Sequence, residues 1–265
     1  MRLVRFSTSD RPDRPDGAAP VRHGVLDGAG VVPVAGLTDP TPTGPPVALA
    51  DVRLHAPVQP RTVVGMAHNT GAADRLLPPG AFFKPASSVI GPGETIEVPD
   101  VGRVDAEAEV ALVVGRRARR LGPDDVAGAV LGWTCANDVT ARDLQRDDDS
   151  WVRAKGYDTF TPLGPWVETD PAFDPDDALV ALDGVATGSC GLARGAVEVL
   201  VWLTSFLTLD VGDVVLLGAP GPGRALRDGD TVRVRVAGIG ELVNPVRAAR
   251  PAAAPAPARV TAVTS

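Results

Sequence analysis

Hydrophobic and polar positions alternate over short stretches of this chain, and the pattern predicts a fold built mainly from β-strands. Val and Arg alternate in Thr231–Val236, as in a strand with one buried face. Val104–Gly115 predicts a longer strand, and Arg61–Gly65 a short buried one. Asp27-Gly28 lies between two apolar runs and predicts a hairpin. The strongest helix prediction is Val197–Leu209, where apolar residues recur at helical spacing.

The same pattern predicts the domain organisation. Residues 1–60 form a small N-terminal β module, and residues 61–250 form one β-dominated domain with few helices. Within this domain, Gly122–Asp125 starts a short capped helix. The Pro/Ala-rich segment 251–265 lacks periodicity and is expected to be disordered. Glycine and proline, 29 and 26 of 265 residues, favour short strands and tight turns throughout.

Composition and charge narrow the class of protein. Lys and Arg number 26 against 33 Asp and Glu, and a net charge of -7 disfavours nucleic acid as a partner. No apolar stretch reaches the ~20 residues needed to cross a bilayer, so we expect no membrane contact and a cytoplasmic location. Cys135 and Cys190 are too few for a disulfide framework and are expected to be reduced thiols in or near the core.

Carboxylates are spaced at every second position at the start of the predicted strand Val104–Gly115. Strand geometry places Asp105, Glu107 and Glu109 on one face. Two interpretations are open, a solvated acidic face at a sheet edge or a site for a hard cation such as Mg²⁺, Mn²⁺ or Ca²⁺. The apolar run Val110–Val114 indicates a central strand and favours the second interpretation.

Two further segments carry candidate chemistry. Asn137 and Asp138 follow an apolar strand, where they form either a turn or a further oxygen ligand. The basic residues are almost all arginine, and the lysines are Lys84 and Lys155. A lysine retained in such a composition favours a need for a compact ammonium. Beside a cation site, Lys155 would supply a second positive charge for an enolate or carboxylate.

Five ordered motifs between about residues 61 and 247 resemble the fumarylacetoacetate hydrolase family. These motifs are Phe83–Gly91, Glu107–Glu109, Asn137–Gln145, Lys155–Pro165 and Leu209–Gly218. The resemblance implies an α+β, mainly β fold, a mixed β-sheet roll with few helices, and a homodimer. It also implies Mg²⁺, with Mn²⁺ or Ca²⁺ as alternatives, held by Glu107, Glu109 and Asp138. By the same resemblance Lys155 is catalytic, Arg142 and Gln145 bind substrate, and the segment around Lys84 has a structural role.

The chain departs from the family pattern where hydrolytic members activate water. Gly71 stands where those members have a histidine, and Asp74 where they have a glutamate. His68 is either a substitute base or a structural residue, since imidazole has a suitable pKa. Ala219 replaces a threonine whose hydroxyl meets the substrate carboxylate in the family. The catalytic prediction is therefore Lys155 with His68 and Asp74.

The function implied is a divalent-metal-dependent enzyme that acts through an enolate on a 2-oxo or 1,3-dioxo carboxylic acid, acylpyruvate-like or hydroxymuconate-like. Hydrolysis of a C–C bond, isomerisation and decarboxylation all pass through such an enolate and stay open. The alternative is a catalytically silent member of the family that serves as a binding or assembly subunit.

Overall fold

The structure is a computed structural model that describes residues 1–8, 20–28, 30–189 and 191–249. The predictions for Cys190 and for the segment 251–265 lie outside these residues. The predicted fold class is confirmed, because strand accounts for 42% of the structure and helix for 15%. No helix among the described residues is long and apolar enough to cross a membrane.

Strands follow one another along the chain with short connections. In the first half they are β1 (Arg2–Thr8), β2 (Arg22–Asp27), β3 (Gly30–Val34), β4 (Val47–Ala48), β5 (Val52–His55), β6 (Val63–Ala67), β7 (Gly80–Lys84), β8 (Val89–Ile90), β9 (Ile96–Val98), β10 (Val104–Ala106) and β11 (Ala108–Val114). In the second half they are β12 (Val130–Asn137), β13 (Thr140–Ala141), β14 (Thr161–Glu168), β15 (Leu179–Leu182), β16 (Val185–Ser189), β17 (Val214–Leu216), β18 (Arg224–Ala225), β19 (Thr231–Val236) and β20 (Gly240–Ala248). The α-helices are α1 (Arg142–Asp147), α2 (Val152–Lys155) and α3 (Ala196–Phe206).

Among the described residues these strands form three sheets. The large mixed sheet has the order β4-β3-β2-β1-β14-β12-β11-β17-β6-β7, with β5 paired to β1 and β8 to β14. A five-stranded sheet, β16-β15-β19-β20-β9, packs against one face of the large sheet, and β13-β10-β18 form a small third sheet. Side chains of β11 alternate between two apolar clusters, Val110 and Leu112 in one and Ala111 and Val113 in the other. The predicted central strand is therefore buried on both faces.

The N-terminal strands continue the large sheet. The hairpin predicted at Asp27-Gly28 joins β2 to β3, with Asp27 opposite Gly30. Strand β1 also pairs with β14, where Leu3 lies opposite Val167. Strands from both sides of the boundary predicted near residue 60 thus belong to one sheet. The division of the chain into domains at this boundary stays a prediction.

The predicted strand Val104–Gly115 is interrupted at Glu107, and this was not foreseen. The backbone N–H of Glu107 donates to Asn137 Oδ1 (3.0 Å), and its carbonyl accepts from the N–H of Asp138 (2.9 Å). Because these partners lie outside the regular ladder, β10 and β11 separate into different sheets. The break places Glu107 next to the residues that follow β12.

Two helix predictions need correction. The helix predicted at Val197–Leu209 is confirmed as α3, but its buried face holds Val199, Leu200 and Leu203, while Val197 is 48% exposed. Val197 extends the apolar pattern without facing the core. The helix predicted from Gly122 is instead two 3₁₀ turns, Pro123–Asp125 and Ala127–Ala129.

Candidate active site

A cavity of about 450 Å³ opens beside the break at Glu107, and the structure brings all eight predicted site residues to it. The predicted residues that line it are His68, Asp74, Glu107, Glu109, Asp138, Arg142, Gln145 and Lys155. Further lining residues are Met66, Ala67, Asn69, Thr70, Phe82, Arg146, Trp151, Gly218 and Ala219. These side chains come from separate strands, loops and helices, so the fold itself assembles the cavity.

Strand pairing explains why the carboxylates meet. Ala108 of β11 lies opposite Asn137 of β12, so Glu109 and Asp138 flank one pair of residues in the sheet. Glu107 stands at the break before β11, and the N–H of Asp138 donates to its carbonyl. Three acidic side chains separated by up to 31 positions therefore line one wall.

Lys155 lies between two of these carboxylates. Its ammonium donates to Glu107 Oε2 (3.2 Å), to Asp138 Oδ2 at short range, and to Thr140 Oγ1 (2.7 Å). It also lies 4.5 Å from the centre of the Phe82 ring. Burial acts to lower the pKa of Lys155, but the charges of Asp138 and Glu107 outweigh it and raise the pKa. Lys155 is therefore a fixed ammonium at neutral pH.

Lys84 has a more direct role than the sequence indicated. Its ammonium donates to Asp138 Oδ1 (2.7 Å) and to the carbonyl of Val139 (3.2 Å), and its side chain has no exposed surface. The side chain therefore fixes Asp138, so the structural role of this segment, expected to lie chiefly in its backbone, also involves the lysine side chain. Burial raises the pKa of Asp138, but Lys155 and Lys84 together lower it. The scarcity of lysine was the sequence signal that pointed to it.

Arg142, which was predicted to bind substrate, contacts the acidic wall of the cavity. Its guanidinium donates to Asp105 Oδ2 (3.0 Å) and to Gln145 Oε1 (3.0 Å), and it pairs with Glu107 Oε1 (2.6 Å). These contacts orient the planar group from three sides. Among the described residues the amide nitrogen of Gln145 has no partner, so it is free to meet a ligand in the cavity.

Among the described residues Glu109 is the carboxylate of this wall that forms no ion pair, although the charge of Lys155 acts to lower its pKa. Its Oε2 accepts from the N–H of Gly218 (2.7 Å), and only 3% of the residue is exposed. Burial and then the charges of Asp138 and Glu107 raise its pKa well above the ordinary value of 4.5. A buried carboxylate surrounded by like charge needs a compensating positive charge to ionise.

The donor set fits a hard divalent cation in its chemistry, because three carboxylates line one wall and, among the described residues, Glu109 forms no ion pair. In the described part of the chain no three such groups converge on one point at ligand distance. The reason is that Lys84 and Lys155 engage both oxygens of Asp138, and Arg142 and Lys155 engage Glu107. Ligation would therefore exchange some of these ion pairs for contacts with the cation.

The part of the site predicted to activate water is arranged differently. Asp74 Oδ2 accepts from the N–H of Thr70 (2.9 Å), so this carboxylate closes its own loop. Gly71 has a φ of +80°, which disfavours a side chain there, and its N–H donates to the carbonyl of Gly191. His68 is exposed and adopts a φ of +52°. The imidazole of His68 lines the cavity.

Two groups of lining residues were missed by the sequence reasoning. Phe82 and Trp151 lie 5.7 Å apart between ring centres, and Trp151 meets His68 edge-on at 6.2 Å. Together with His68, Phe82 and Trp151 form an aromatic wall of the cavity. Asn69 is buried and binds the backbone of Arg194 and Leu217, which ties the loop after β6 to the strand end that carries Gly218. No spacing in the sequence distinguishes these residues from core positions.

Comparison with known proteins accounts for nearly all of the chain. Residues 58–247 match the family described as fumarylacetoacetate (FAA) hydrolase, C-terminal. Residues 1–57 match the family described as Rv2993c-like, N-terminal. The first match covers well over half of the chain and contains every predicted site residue.

Individual relatives agree with these matches. Protein Rv2993c of Mycobacterium tuberculosis is 39% identical over 78% of this chain and 83% of its own length. An oxaloacetate tautomerase of Xenopus laevis, fahd2, is 36% identical over 63% of this chain and 58% of its own.

Solved structures share the fold. That of 5-carboxymethyl-2-hydroxymuconate delta-isomerase from Mycobacterium smegmatis has a TM-score of 0.83 and 37% identity, over 94% of this chain and all of that one. A maleylpyruvate hydrolase from Sphingobium sp. SYK-6, in complex with manganese(II) and pyruvate, has a TM-score of 0.76 and 25% identity over the same shares.

Proposed function

Because the chain belongs to the fumarylacetoacetate hydrolase family, we propose that it is a divalent-metal-dependent enzyme that shifts a proton within a 2-oxo carboxylic acid by way of an enolate. Isomerisation of a double bond and keto–enol tautomerisation are the two forms of this reaction. Both kinds of enzyme occur among the relatives, as a hydroxymuconate isomerase and an oxaloacetate tautomerase. These relatives support an enzymatic role for the chain, and the type of reaction is what we propose.

The observation that carries the proposal is the position of Lys155. Its ammonium is almost fully buried, stays protonated, and lines the cavity between Glu107 and Asp138. A fixed positive charge at this place stabilises negative charge as it develops on a substrate oxygen. A bound divalent cation would add Lewis-acid polarisation of the same oxo acid, with Glu107, Glu109 and Asp138 as its ligands.

Charge balance supports an acidic substrate. Four carboxylates, Asp105, Glu107, Glu109 and Asp138, lie among four cationic side chains, Lys84, Arg103, Arg142 and Lys155. With a divalent cation present the site would carry excess positive charge, and an anionic oxo acid would neutralise it. Arg142 and Gln145 stand at the same cavity to hold a carboxylate.

The loop after β6 favours proton transfer over hydrolysis. Hydrolysis of a C–C bond needs a base that activates water, but Gly71 has no side chain and Asp74 binds its own loop through one oxygen. Isomerisation and tautomerisation need only a group that takes a proton from one atom of the substrate and returns it to another, from carbon to carbon in isomerisation and between carbon and oxygen in tautomerisation. His68 faces the cavity and suits this task, because an imidazole exchanges protons near neutral pH.

C–C hydrolysis is the second candidate, and one observation favours it. The aromatic wall of His68, Phe82 and Trp151 gives the cavity a place for a longer substrate, such as an acylpyruvate. His68 would then act as the base for water. A maleylpyruvate hydrolase with 25% identity shares the fold.

Substrate turnover with and without Mg²⁺ tests the proposal. We expect Mg²⁺-dependent loss of the enol absorbance of oxaloacetate or of a hydroxymuconate, without release of pyruvate or another cleavage product. Lys155→Met should lower kcat/KM by about 100-fold or more, the usual cost of losing a group that stabilises an oxyanion. Arg153→Met is the matched control, since Arg153 is an exposed residue of the same helix and should keep full activity.

Other outcomes separate the alternatives. Cleavage products from acylpyruvates, with no tautomerisation, would favour hydrolysis. Stabilisation by Mg²⁺ without turnover of any such acid would favour the catalytically silent subunit. A Lys155→Met variant with full activity would contradict the proposed role of this lysine. The homodimer, the cytoplasmic location and the preference for Mg²⁺ over Mn²⁺ or Ca²⁺ stay predictions.

A further inference from the structure

A row of three basic side chains crosses the N-terminal part of the large sheet, away from the active-site cavity. Strand β1 pairs with β2 on one side and with β5 on the other, and Arg5 lies opposite both His23 and His55. Residues directly opposite each other in antiparallel strands share one face of the sheet. Two of the three histidines of the chain therefore flank one arginine.

Arg5 is buried without a carboxylate partner among the described residues. Only 9% of the residue is exposed, and its guanidinium makes one hydrogen bond, from Nη1 to the carbonyl of Ala56 (2.9 Å). Burial lowers its pKa, and the charge of Glu94, which lines the same cavity, acts to raise it. A buried cation is costly unless a counter-charge meets it, and among the described residues no carboxylate contacts Arg5.

Glu94 does not serve as the counter-charge of Arg5. Its Oε1 accepts from Arg53 (3.1 Å), and its Oε2 accepts from the N–H of Gly91 (2.6 Å). Both oxygens are committed to these partners, so Glu94 reduces the positive potential of the row without forming an ion pair with Arg5.

Arg5 and His55 line a cavity of about 380 Å³ that shares no residue with the active-site cavity. Its walls include Ala56, Val58 and Val89, which are apolar. The His55 ring is held in place, because its Nε2 lies 2.9 Å from Ser7 Oγ in a shared hydrogen bond. The cavity thus combines a basic group and apolar walls with the carboxylate of Glu94, whose two oxygens are already bound by Arg53 and by the N–H of Gly91. Apolar walls with a few polar groups are a common composition of small-molecule sites.

We propose that Arg5 and His55 bind the anionic head group, carboxylate or phosphate, of a small organic molecule in this second cavity. The planar guanidinium of Arg5 presents paired N–H donors to such a group. His55 adds a donor from the adjacent strand, and the apolar walls cover the remainder of the ligand. His23 lies on the other side of Arg5, where the charge of the bound anion would also act on its ring.

Burial and then Arg5 lower the pKa of His23. Burial and then Arg53 lower the pKa of His55, with Glu94 acting in the opposite direction and Arg5 lowering it further. An anion bound at Arg5 would stabilise the charged form of both rings and raise both pKa values. His68 lies outside this site, in the active-site cavity, and reports separately on an anion bound there.

The test is a titration of the full chain, free of divalent cations, with inorganic phosphate and separately with malonate, followed by the histidine ring signals in NMR and repeated over a series of pH values. We expect His23 and His55 to shift together and saturably at millimolar anion, with their pKa values raised, and with an affinity different from that of any response of His68. Response to phosphate alone or to malonate alone identifies the head group, and either supports the site.

Arg5→Gln should abolish the shifts. Arg22→Gln is the matched control, because Arg22 is exposed and lies over the Phe6 ring, and it should leave them intact. If Arg5→Gln does not fold, His55→Gln replaces it and should weaken the His23 response several-fold. The proposal is overturned if neither anion shifts His23 and His55, if all three histidines respond alike, or if the response survives in Arg5→Gln. None of these readouts depends on the activity proposed above.

Discussion

At the scale of residues, the site is a set of buried charges that balance only in part. Lys84 and Lys155 hold Asp138 from two sides, and Arg142 and Lys155 hold Glu107. Among the described residues Glu109 forms no ion pair, although it is about as buried as Asp138 and more buried than Glu107. In the absence of a divalent cation, the burial of this carboxylate therefore costs stability whenever it is ionised.

We predict that, without divalent cation, the contribution of Glu109 to stability falls as the pH rises above about 4.5, so that the wild type loses stability relative to Glu109→Gln. The pKa of Glu109 is raised in the fold, so above its ordinary value of 4.5 the folded protein holds a proton that the unfolded chain has lost. Stability is lost as the pH rises through that window. Urea denaturation from pH 4.5 to pH 8 measures the effect.

The surface variant Glu198→Gln is the control and should retain the slope of the wild type, because Glu198 is exposed. At the alkaline end Glu109→Gln should be more stable than the wild type when no divalent cation is present. Equal slopes in Glu109→Gln and wild type would show that Glu109 is not the unbalanced charge.

At the scale of elements, the pairing of β6 with β7 positions the aromatic wall. Gly65 lies opposite Phe82 in this pair. A Cβ at Gly65 would fall 2.1 Å from Cζ of the Phe82 ring, so the absence of a side chain lets the ring lie across β6. From there the ring reaches both Trp151 and the ammonium of Lys155.

Gly65→Ala should therefore displace Phe82 and lower kcat/KM by about 100-fold, the order expected for a small misplacement of a catalytic group. The cost in stability should stay within the range of about 1–3 kcal/mol typical of overpacking. Gly80→Ala, at the far end of the same pair, is the matched control, since its Cβ would meet Ala67 at 3.4 Å. Steady-state kinetics measure kcat/KM of both variants, and thermal unfolding measures their stability. Unchanged kinetics in folded Gly65→Ala would contradict a positioning role for Phe82.

The same elements show how far the sequence could predict the structure. Alternating Val and Arg in β19 predicted its buried face, and the spaced glutamates predicted that Glu107 and Glu109 share a wall. The break at Glu107 could not be predicted, because it depends on Asn137 Oδ1, a partner 30 positions away. The role of the Lys84 side chain was missed for the same reason, since its partner Asp138 lies on another strand.

At the scale of the whole molecule, the N-terminal strands and the remainder of the chain share one sheet. The terminal amine of Met1 and the guanidinium of Arg2 both meet Glu168, at 3.3 and 3.1 Å. Leu3 is buried in the cluster that contains Val167, and β1 covers the edge of β14. The N-terminal part is therefore built into the fold that supports the site.

A chain that begins at residue 58 should for this reason expose the edge of β14 and part of an apolar cluster. We predict that it aggregates or loses its cooperative thermal transition, which size-exclusion chromatography and calorimetry would detect. As a milder change, Leu3→Ala should cost about 2–5 kcal/mol, the usual range for a buried leucine. A truncated chain with the melting temperature of the full chain would show that the two parts are independent.

The central claim is that Glu107, Glu109 and Asp138 together bind one divalent cation that an oxo acid also contacts. Titration of the protein with Mn²⁺, followed by water-proton relaxation with and without oxalate, tests it most directly. We expect one saturable Mn²⁺ site whose affinity rises with oxalate, and we expect this site to be lost in Glu109→Gln and intact in Glu198→Gln. Absence of a saturable site in the wild type, or an unchanged titration in Glu109→Gln, would contradict it.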